Sequence, residues 1–314
     1  MVILTEKGKF LKVLVTGANG LLGQKLMDQL RSDPEVKVFG TGKGMARLPD
    51  SWEGTFEWKE MDVTDRQQVL EVIEATRPDA VIHTAAMTQV DDCEKDKDQC
   101  RSANIDAVSN LIDACRIFDI HLIHLSTDFI FDGEDGPYTE DAVPNPINYY
   151  GWSKLEAEKL LLDSGIKWAI ARTVLVFGIA NDLSRSNIIL WVKKSLEDGK
   201  TIKVVNDQWR TPTLAEDLAT GCILILKKGA EGIFNISGKD FLTPYEMAIQ
   251  TADYFKLDKS LITEVDSTIF TQPAKRPPRT GFVIDKAKNE LGYSPKSFTE
   301  GIGILSKQLK LADS

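Results

Sequence analysis

Lys12-Val13-Leu14-Val15-Thr16-Gly17-Ala18-Asn19-Gly20-Leu21-Leu22-Gly23 is the stretch that decides the fold. Lys12–Thr16 has the composition of a buried strand, and Leu22, Leu26 and Leu30 recur at helical spacing directly beyond it. Between them the glycines follow a GxxGxxG spacing. Gly17 permits a tight turn, Gly20 lets the backbone approach a pyrophosphate, and Gly23 lets the helix lie close to the sheet. The free N–H groups at the positive end of that helix attract phosphate. Strand, glycine turn and helix in this order predict a dinucleotide site within a doubly wound parallel sheet, the Rossmann arrangement.

The pattern repeats outward. Strands are predicted at Val36–Phe39, Thr55–Met61, Ala80–His83, His121–Ser126 and Trp168–Thr173. Helices are predicted at Arg66–Thr76, Gln99–Phe118 and Tyr150–Ser164, with Arg77-Pro78 ending the first of these. Such alternation means βαβ units, with helices on both faces of one sheet. Beyond Gly178 the rhythm changes. Helices at Asn187–Asp198, Leu214–Lys227, Thr243–Phe255 and Phe298–Leu311 mix with short strands at Ile202–Val205 and Gly232–Ile236. The expected organisation is a dinucleotide-binding domain over residues 1–178 and a smaller α/β substrate lobe over 179–314, with 200–240 available to complete the sheet.

Composition narrows the function. The 314 residues carry 38 Lys+Arg against 47 Asp+Glu, a net charge of −9, with 42% hydrophobic residues. This is globular composition, and its acidic balance argues against a nucleic-acid binder, which needs clustered cations. No apolar run reaches the roughly 18 residues of a membrane span, and the first ten residues do not read as a secretory signal. Cys93, Cys100, Cys115 and Cys222 have no CxxC spacing, so reduced thiols in a cytoplasmic protein are expected, without a metal site.

Two features specify the chemistry. An NAD-selective site ends its second strand with an acid for the ribose 2′-OH. Here Val36–Phe39 runs into Gly40-Thr41-Gly42-Lys43-Gly44, with Arg47 nearby. Positive charge suits a 2′-phosphate, so NADP(H) is favoured over NAD(H); a solvated loop lysine is the plain alternative for Lys43. Asp62-Val63, after the third strand, stands where the adenine edge would lie. Tyr150-Gly151-Trp152-Ser153-Lys154 puts a phenol and an amine on one helix face. A free Tyr titrates near pH 10, roughly, so a neighbouring ammonium is needed to make it a useful acid–base group. Thr127, at the end of the fifth strand, is placed to polarise a carbonyl that Tyr150 protonates. Tyr149 is a decoy, since its partner four residues on is Ser153.

The glycine fingerprint, a Ser/Thr ending strand five and YxxxK, in that order, resemble the extended short-chain dehydrogenase/reductases. The chain is similar to their dTDP-4-dehydrorhamnose reductase branch through Ala85-Ala86-Met87-Thr88-Gln89-Val90-Asp91 with Glu94, and through Ser126-Thr127-Asp128-Phe129-Ile130-Phe131-Asp132-Gly133. Further matches are Pro137-Tyr138 with Glu140, Asn148 to Lys154, Asp207-Gln208, Pro212-Thr213, Asp217-Leu218-Ala219 and Arg276-Pro277. The resemblance runs from Val13 to about Gly292. It implies reduction of the 4-keto group of a nucleotide-linked 6-deoxy sugar, with Tyr150 as proton donor, Lys154 tuning it and binding the nicotinamide ribose, and Thr127 on the carbonyl. It further implies that Gly17, Asn19, Gly20, Leu21, Leu22, Gly23, Lys43, Asp62, Val63, Ala85 and Ala86 line the cofactor. Thr88, Val90, Thr127 and Asp128 would approach the sugar, and Asn187 and Arg210 its diphosphate; the plain alternatives for the last two are a helix cap and a surface arginine. A homodimer is compatible with this family.

Two departures bear on the substrate. The family has Trp after Arg-Thr-Ser on strand six, whereas this chain has Arg172-Thr173-Val174-Leu175, which puts Leu175 in the sugar pocket. Trp209-Arg210-Thr211 stands where the family has a Gly-containing stretch. A 4,6-dehydratase would need an acid after Asp128, and Phe129 is there instead. A sugar-nucleotide epimerase is disfavoured by the missing acid after strand two. From another class, the branch resembles the β subunit of methionine adenosyltransferase, an NADP-binding regulatory protein.

Overall fold

The structure, a computed structural model, describes residues 10–181 and 187–312. Its strands are β1 (Leu11–Thr16), β2 (Val36–Gly42), β3 (Glu57–Glu60), β4 (Ala80–His83), β5 (His121–Thr127), β6 (Trp168–Thr173), β7 (Val176–Phe177), β8 (Ile202–Val205), β9 (Thr213–Leu214), β10 (Gly232–Asn235) and β11 (Ile262–Val265). Its α-helices are α1 (Leu21–Arg31), α2 (Arg66–Thr76), α3 (Val90–Lys95), α4 (Lys97–Arg101), α5 (Ala107–Phe118), α6 (Tyr149–Leu162), α7 (Ile188–Glu197), α8 (Ala215–Lys228), α9 (Pro244–Phe255) and α10 (Phe298–Ala312). Seven strands form one sheet in the order β10-β6-β5-β4-β1-β2-β3, every pairing parallel. The α/β Rossmann-type sheet expected from the glycine turn is thus present. The order reverses between β1 and β4, where open α/β sheets bind ligands beyond the strands' carboxyl ends.

Alternation along β1 explains how both faces are covered. Val13 and Val15 join the core that holds Leu26, Leu30, Leu218 and Ile225 of α1 and α8, while Leu14 joins Val69, Ile73, Leu111 and Leu161 of α2, α5 and α6. A strand buried on both faces has to read as the continuous apolar run found here. Beyond the sheet, β8 pairs with β11 beneath α7 and α9, and β7 pairs with β9.

Two elements differ from the sequence reading, and a third falls within the 200–240 stretch left available to the sheet. Gln99–Phe118 is not one regular helix, because Ser102–Asp106 is a π-helical turn between α4 and α5. That turn aims Asn104 at Met87, whose N–H and C=O it bonds at 2.8 and 3.0 Å, and at the Ser153 hydroxyl at 3.0 Å. Gly232–Asn235 lies at the edge of the main sheet, beside β6. Ile262–Val265 is a strand that the sequence reading left as connecting chain.

Candidate active site

The glycine turn has the geometry its spacing demands. Gly17 has φ +66°, and a Cβ there would stand 2.8 Å from the Ala85 nitrogen; at Gly23 it would stand 2.3 Å from the Gly17 oxygen. Gly20 caps α1 with no side-chain bond, and the first turn holds no acid. A Cβ on Gly20 would meet only the Gly17 oxygen, at 3.2 Å. Among the described residues the leading N–H groups of α1, from Leu21 and Leu22, have no backbone acceptor, as an anion cradle requires. Asn19 ties the turn to the loop after β2: its amide donates to the Met45 carbonyl at 3.0 Å and accepts from the Arg47 N–H at 2.7 Å. Lys43 is exposed and its Nζ lies 2.8 Å from Asp62. Burial pushes the Asp62 carboxyl up, but bonds from Lys43 and Thr64 outweigh it and hold the group below its usual value. Val63 is buried behind Asp62, and Ala85 and Ala86 leave β4 half-buried opposite Gly17. These residues surround the N-terminus of α1 and fit a dinucleotide.

The second half of the site is built where β5 ends. Asn148 caps α6 by accepting from the Gly151 N–H at 2.8 Å and anchors it by donating to the Lys275 carbonyl at 2.9 Å. A Cβ on Gly151 would fall 1.9 Å from the Phe129 oxygen, so only glycine lets α6 start so close to Thr127 and Asp128. Thr127 hydrogen-bonds the Tyr150 phenol, and Lys154 follows one turn later on α6. Burial raises the Tyr150 phenol well above its ordinary value; Thr127 pulls it down by hydrogen bonding and the Asp128 charge pushes it up. Lys154 is 3% exposed. Burial lowers its amine from 10.5 to about 8, against opposing effects of Glu158, Cys100 and Cys93. Its Nζ lies 3.1 Å from Nε2 of His124. Tyr149 is tied elsewhere, through its N–H to Glu94 at 3.0 Å and its ring to Trp152 at 4.9 Å.

Asp128 is buried beside Thr127. It accepts from the Thr127 hydroxyl at 3.1 Å and from the Thr280 hydroxyl, and Arg210 Nε lies 3.8 Å away. Burial raises this carboxyl, and the Arg210 charge works against the rise.

A cavity of about 440 Å³ opens in the lobe, lined among others by Asn187, Trp191, Lys203, Gln208, Phe270 and Arg276. Two cations and two aromatic rings on one wall suit an anionic, partly planar ligand. Arg276 is held by a two-point bond to Asp91, at 2.7 and 2.8 Å. Asn187 lines this cavity, but its amide is committed: it caps α7 by accepting from Ile189 and Leu190 at 3.1 Å and donates to the Gly178 carbonyl at 2.7 Å. Arg210 requires a correction. It is 5% exposed, absent from the cavity wall, and donates to the carbonyls of Trp209 and Pro277 at 2.7 Å and of Pro278 at 3.2 Å. A guanidinium so enclosed fastens the 277–280 segment and is not presented to a diphosphate. Thr88 is exposed and Val90 half-buried at the start of α3. Leu175 is 43% exposed with φ +35°.

Lys203, Trp191 and His124 went unmarked as site residues in the sequence, since no local motif distinguishes them; Gln208 and Arg276 entered only as family matches, without a role. Among the described residues no cluster of three or more His, Cys, Asp or Glu could hold a metal, and no helix is long and apolar enough to cross a membrane.

Comparison with known proteins agrees with this fold. The family model described as RmlD substrate binding domain matches residues 11–311. The probable low-salt glycan biosynthesis reductase Agl14 of Haloferax volcanii is 32% identical over 295 residues, 93% of this chain and 96% of that protein. The methionine adenosyltransferase 2 subunit beta of Bos taurus is 32% identical over 254 residues, 79% of this chain and 73% of that protein. The crystal structure of dTDP-4-dehydrorhamnose reductase from Bacillus anthracis in complex with NADP superposes with a TM-score of 0.83 at 26% identity, covering 96% of this chain and 100% of that one.

Proposed function

The chain belongs to the RmlD substrate binding domain family, and on that premise we propose that it reduces the 4-keto group of a nucleotide-linked 6-deoxy sugar with NADPH. It is of the short-chain dehydrogenase/reductase type of NAD(P)-dependent oxidoreductase. The observation that supports the substrate reading is the hydrogen bond between Thr127 and Tyr150, with Lys154 one helical turn beyond Tyr150 on α6.

A nicotinamide cofactor supplies hydride when bound, and Gly17, Gly20, Leu21 and Leu22 would hold its phosphates with Lys43 near the ribose. Burial keeps the Tyr150 phenol protonated, so it has a proton to give the carbonyl oxygen. Lys154 places positive charge beside the phenolate formed and steadies it. The Thr127 hydroxyl, which donates to Asp128 in this structure, would turn to the same carbonyl oxygen. Lys203 and Arg276 suit the diphosphate, and Trp191 and Phe270 suit the base.

The test is NADPH consumption with 4-keto sugar nucleotides. General acid catalysis contributes roughly 10²–10⁴-fold, so Tyr150→Phe should lose about that factor in kcat while NADPH binding persists. Tyr149→Phe should change little. Wild-type turnover by Tyr150→Phe would overturn the assignment of the proton donor. The likeness to the methionine adenosyltransferase subunit supports a second reading, an NADP-binding regulatory subunit. NADPH binding without turnover of any 4-keto sugar nucleotide would favour it.

A further inference from the structure

We infer that His124 is a positioning residue for Lys154, gripping its ammonium from within the sheet. The inference deepens the catalytic reading of Tyr150 and Lys154 and rests on it.

Sheet register sets up the contact. Thr16 of β1 lies opposite His83 of β4, and His83 lies opposite His124 of β5, so three polar side chains form one row across adjacent strands. All three are buried, at 0%, 1% and 1% exposure. Thr16 Oγ1 is 2.7 Å from His83 Nδ1, and the two imidazoles stack with centroids 5.4 Å apart and planes 24° apart. The row ends on Lys154, whose Nζ is 3.1 Å from His124 Nε2. Valine or isoleucine is the inexpensive choice inside a parallel sheet, and a buried polar group costs free energy unless bonded. The row is therefore kept for its contact.

The ammonium can only donate, so Nε2 of His124 must be bare and the neutral ring carries its proton on Nδ1. An imidazolium would turn an Nε2–H onto the Lys154 ammonium and set two cations side by side, so the ring stays neutral. Glu158 on α6, Cys93 on α3, Cys100 on α4 and His83 on β4 also face this pair. Glu158 is taken up by Arg172, at 2.7 Å, leaving His124 as the one hydrogen-bond partner of Nζ among the described residues. One N–H is thus anchored and two stay free for a ligand.

The chain has three histidines, so nitrogen-15 spectra of the histidine-labelled full chain read each ring directly. The expected result is a neutral His124 with bare Nε2 between pH 5 and 8, a signature lost in Lys154→Met. A proton on Nε2 of the wild-type ring would overturn the inference. In turnover of a 4-keto sugar nucleotide, His124→Leu should lower kcat roughly tenfold, about one hydrogen bond, and displace the alkaline limb of the pH profile. His124→Gln, whose amide oxygen reaches about as far as Nε2, should restore both. An unchanged profile in His124→Leu would also overturn the inference. Should wild type reduce no such substrate, the proposed function fails, while the ring spectra still decide the role of His124.

Discussion

Arg210 and Asp128 form an ion pair, 3.8 Å between Nε and Oδ2, enclosed at 5% and 3% exposure. Removing one partner of such a pair leaves an uncompensated buried charge, which costs about 3–5 kcal/mol. Arg210→Ala should lose about that much stability, since it also strands the Pro277 carbonyl, while those of Trp209 and Pro278 keep backbone donors. Urea denaturation measures this. In Arg210→Ala combined with Asp128→Asn the loss should be smaller than the sum of the two single losses.

Lys154 makes stability depend on pH in a defined direction. Its folded value, about 8, lies below the ordinary 10.5. Between these values the unfolded chain binds more protons than the folded one, so this group's contribution to stability rises with pH there. Below pH 8 the buried ammonium costs about 3 kcal/mol, from about 1.4 kcal/mol per pH unit of displacement. Lys154→Met should therefore stabilise the protein at pH 7, and the gain should shrink above pH 10. Denaturation at the two pH values checks this; equal gains at both would refute it.

The exposed Lys43, 2.8 Å from Asp62, is expected to contact the cofactor's 2′-phosphate. Lys43→Ala should weaken NADPH about fivefold, the scale of one charge-assisted hydrogen bond in water, and leave NADH unchanged. Fluorescence titration with both cofactors decides it, and equal losses for the two would rule out a 2′-phosphate contact.

Leu175 has φ +35° and is 43% exposed, and the family resemblance expects it at the position of a Trp. With Leu in place of the ring, dTDP-4-dehydrorhamnose should be a poor substrate, and Leu175→Trp should raise its kcat/KM. A high native efficiency that falls in the variant would mean that another side chain already fills the space.

What the sequence disclosed and what it withheld follow from distance along the chain. The β1–Gly17–α1 unit and the Tyr150–Lys154 spacing are local, so propensity and periodicity suffice to place them. The Asp91–Arg276 bond spans 185 residues and the Arg210–Pro277 bond 67. Neither leaves a local mark, which is why Arg210 reads as a free cation and Arg276 enters only as part of a family match, with no role. His124 is similar: within strand His121–Thr127, only the register of β4 against β5 shows which side chains it meets. The break in Gln99–Phe118 is hidden for another reason, since a π turn alters the ladder of backbone bonds without altering composition.

The late arrival of β10 governs how this chain can be made and divided. While the polypeptide leaves the ribosome, β6 emerges with its outer edge bare, and an unpaired edge recruits any passing strand. That exposure lasts until Gly232–Asn235 is translated and seated. The same threading binds α1 to α8, through Lys25–Glu216 at 2.9 Å and Gln29 on the Glu216 carbonyl at 2.9 Å. A fragment severed after Gly178 would thus lack both a border strand and the cover of its first helix. Grafting the nucleotide-binding half onto a foreign lobe would demand that residues 215–235 travel with it.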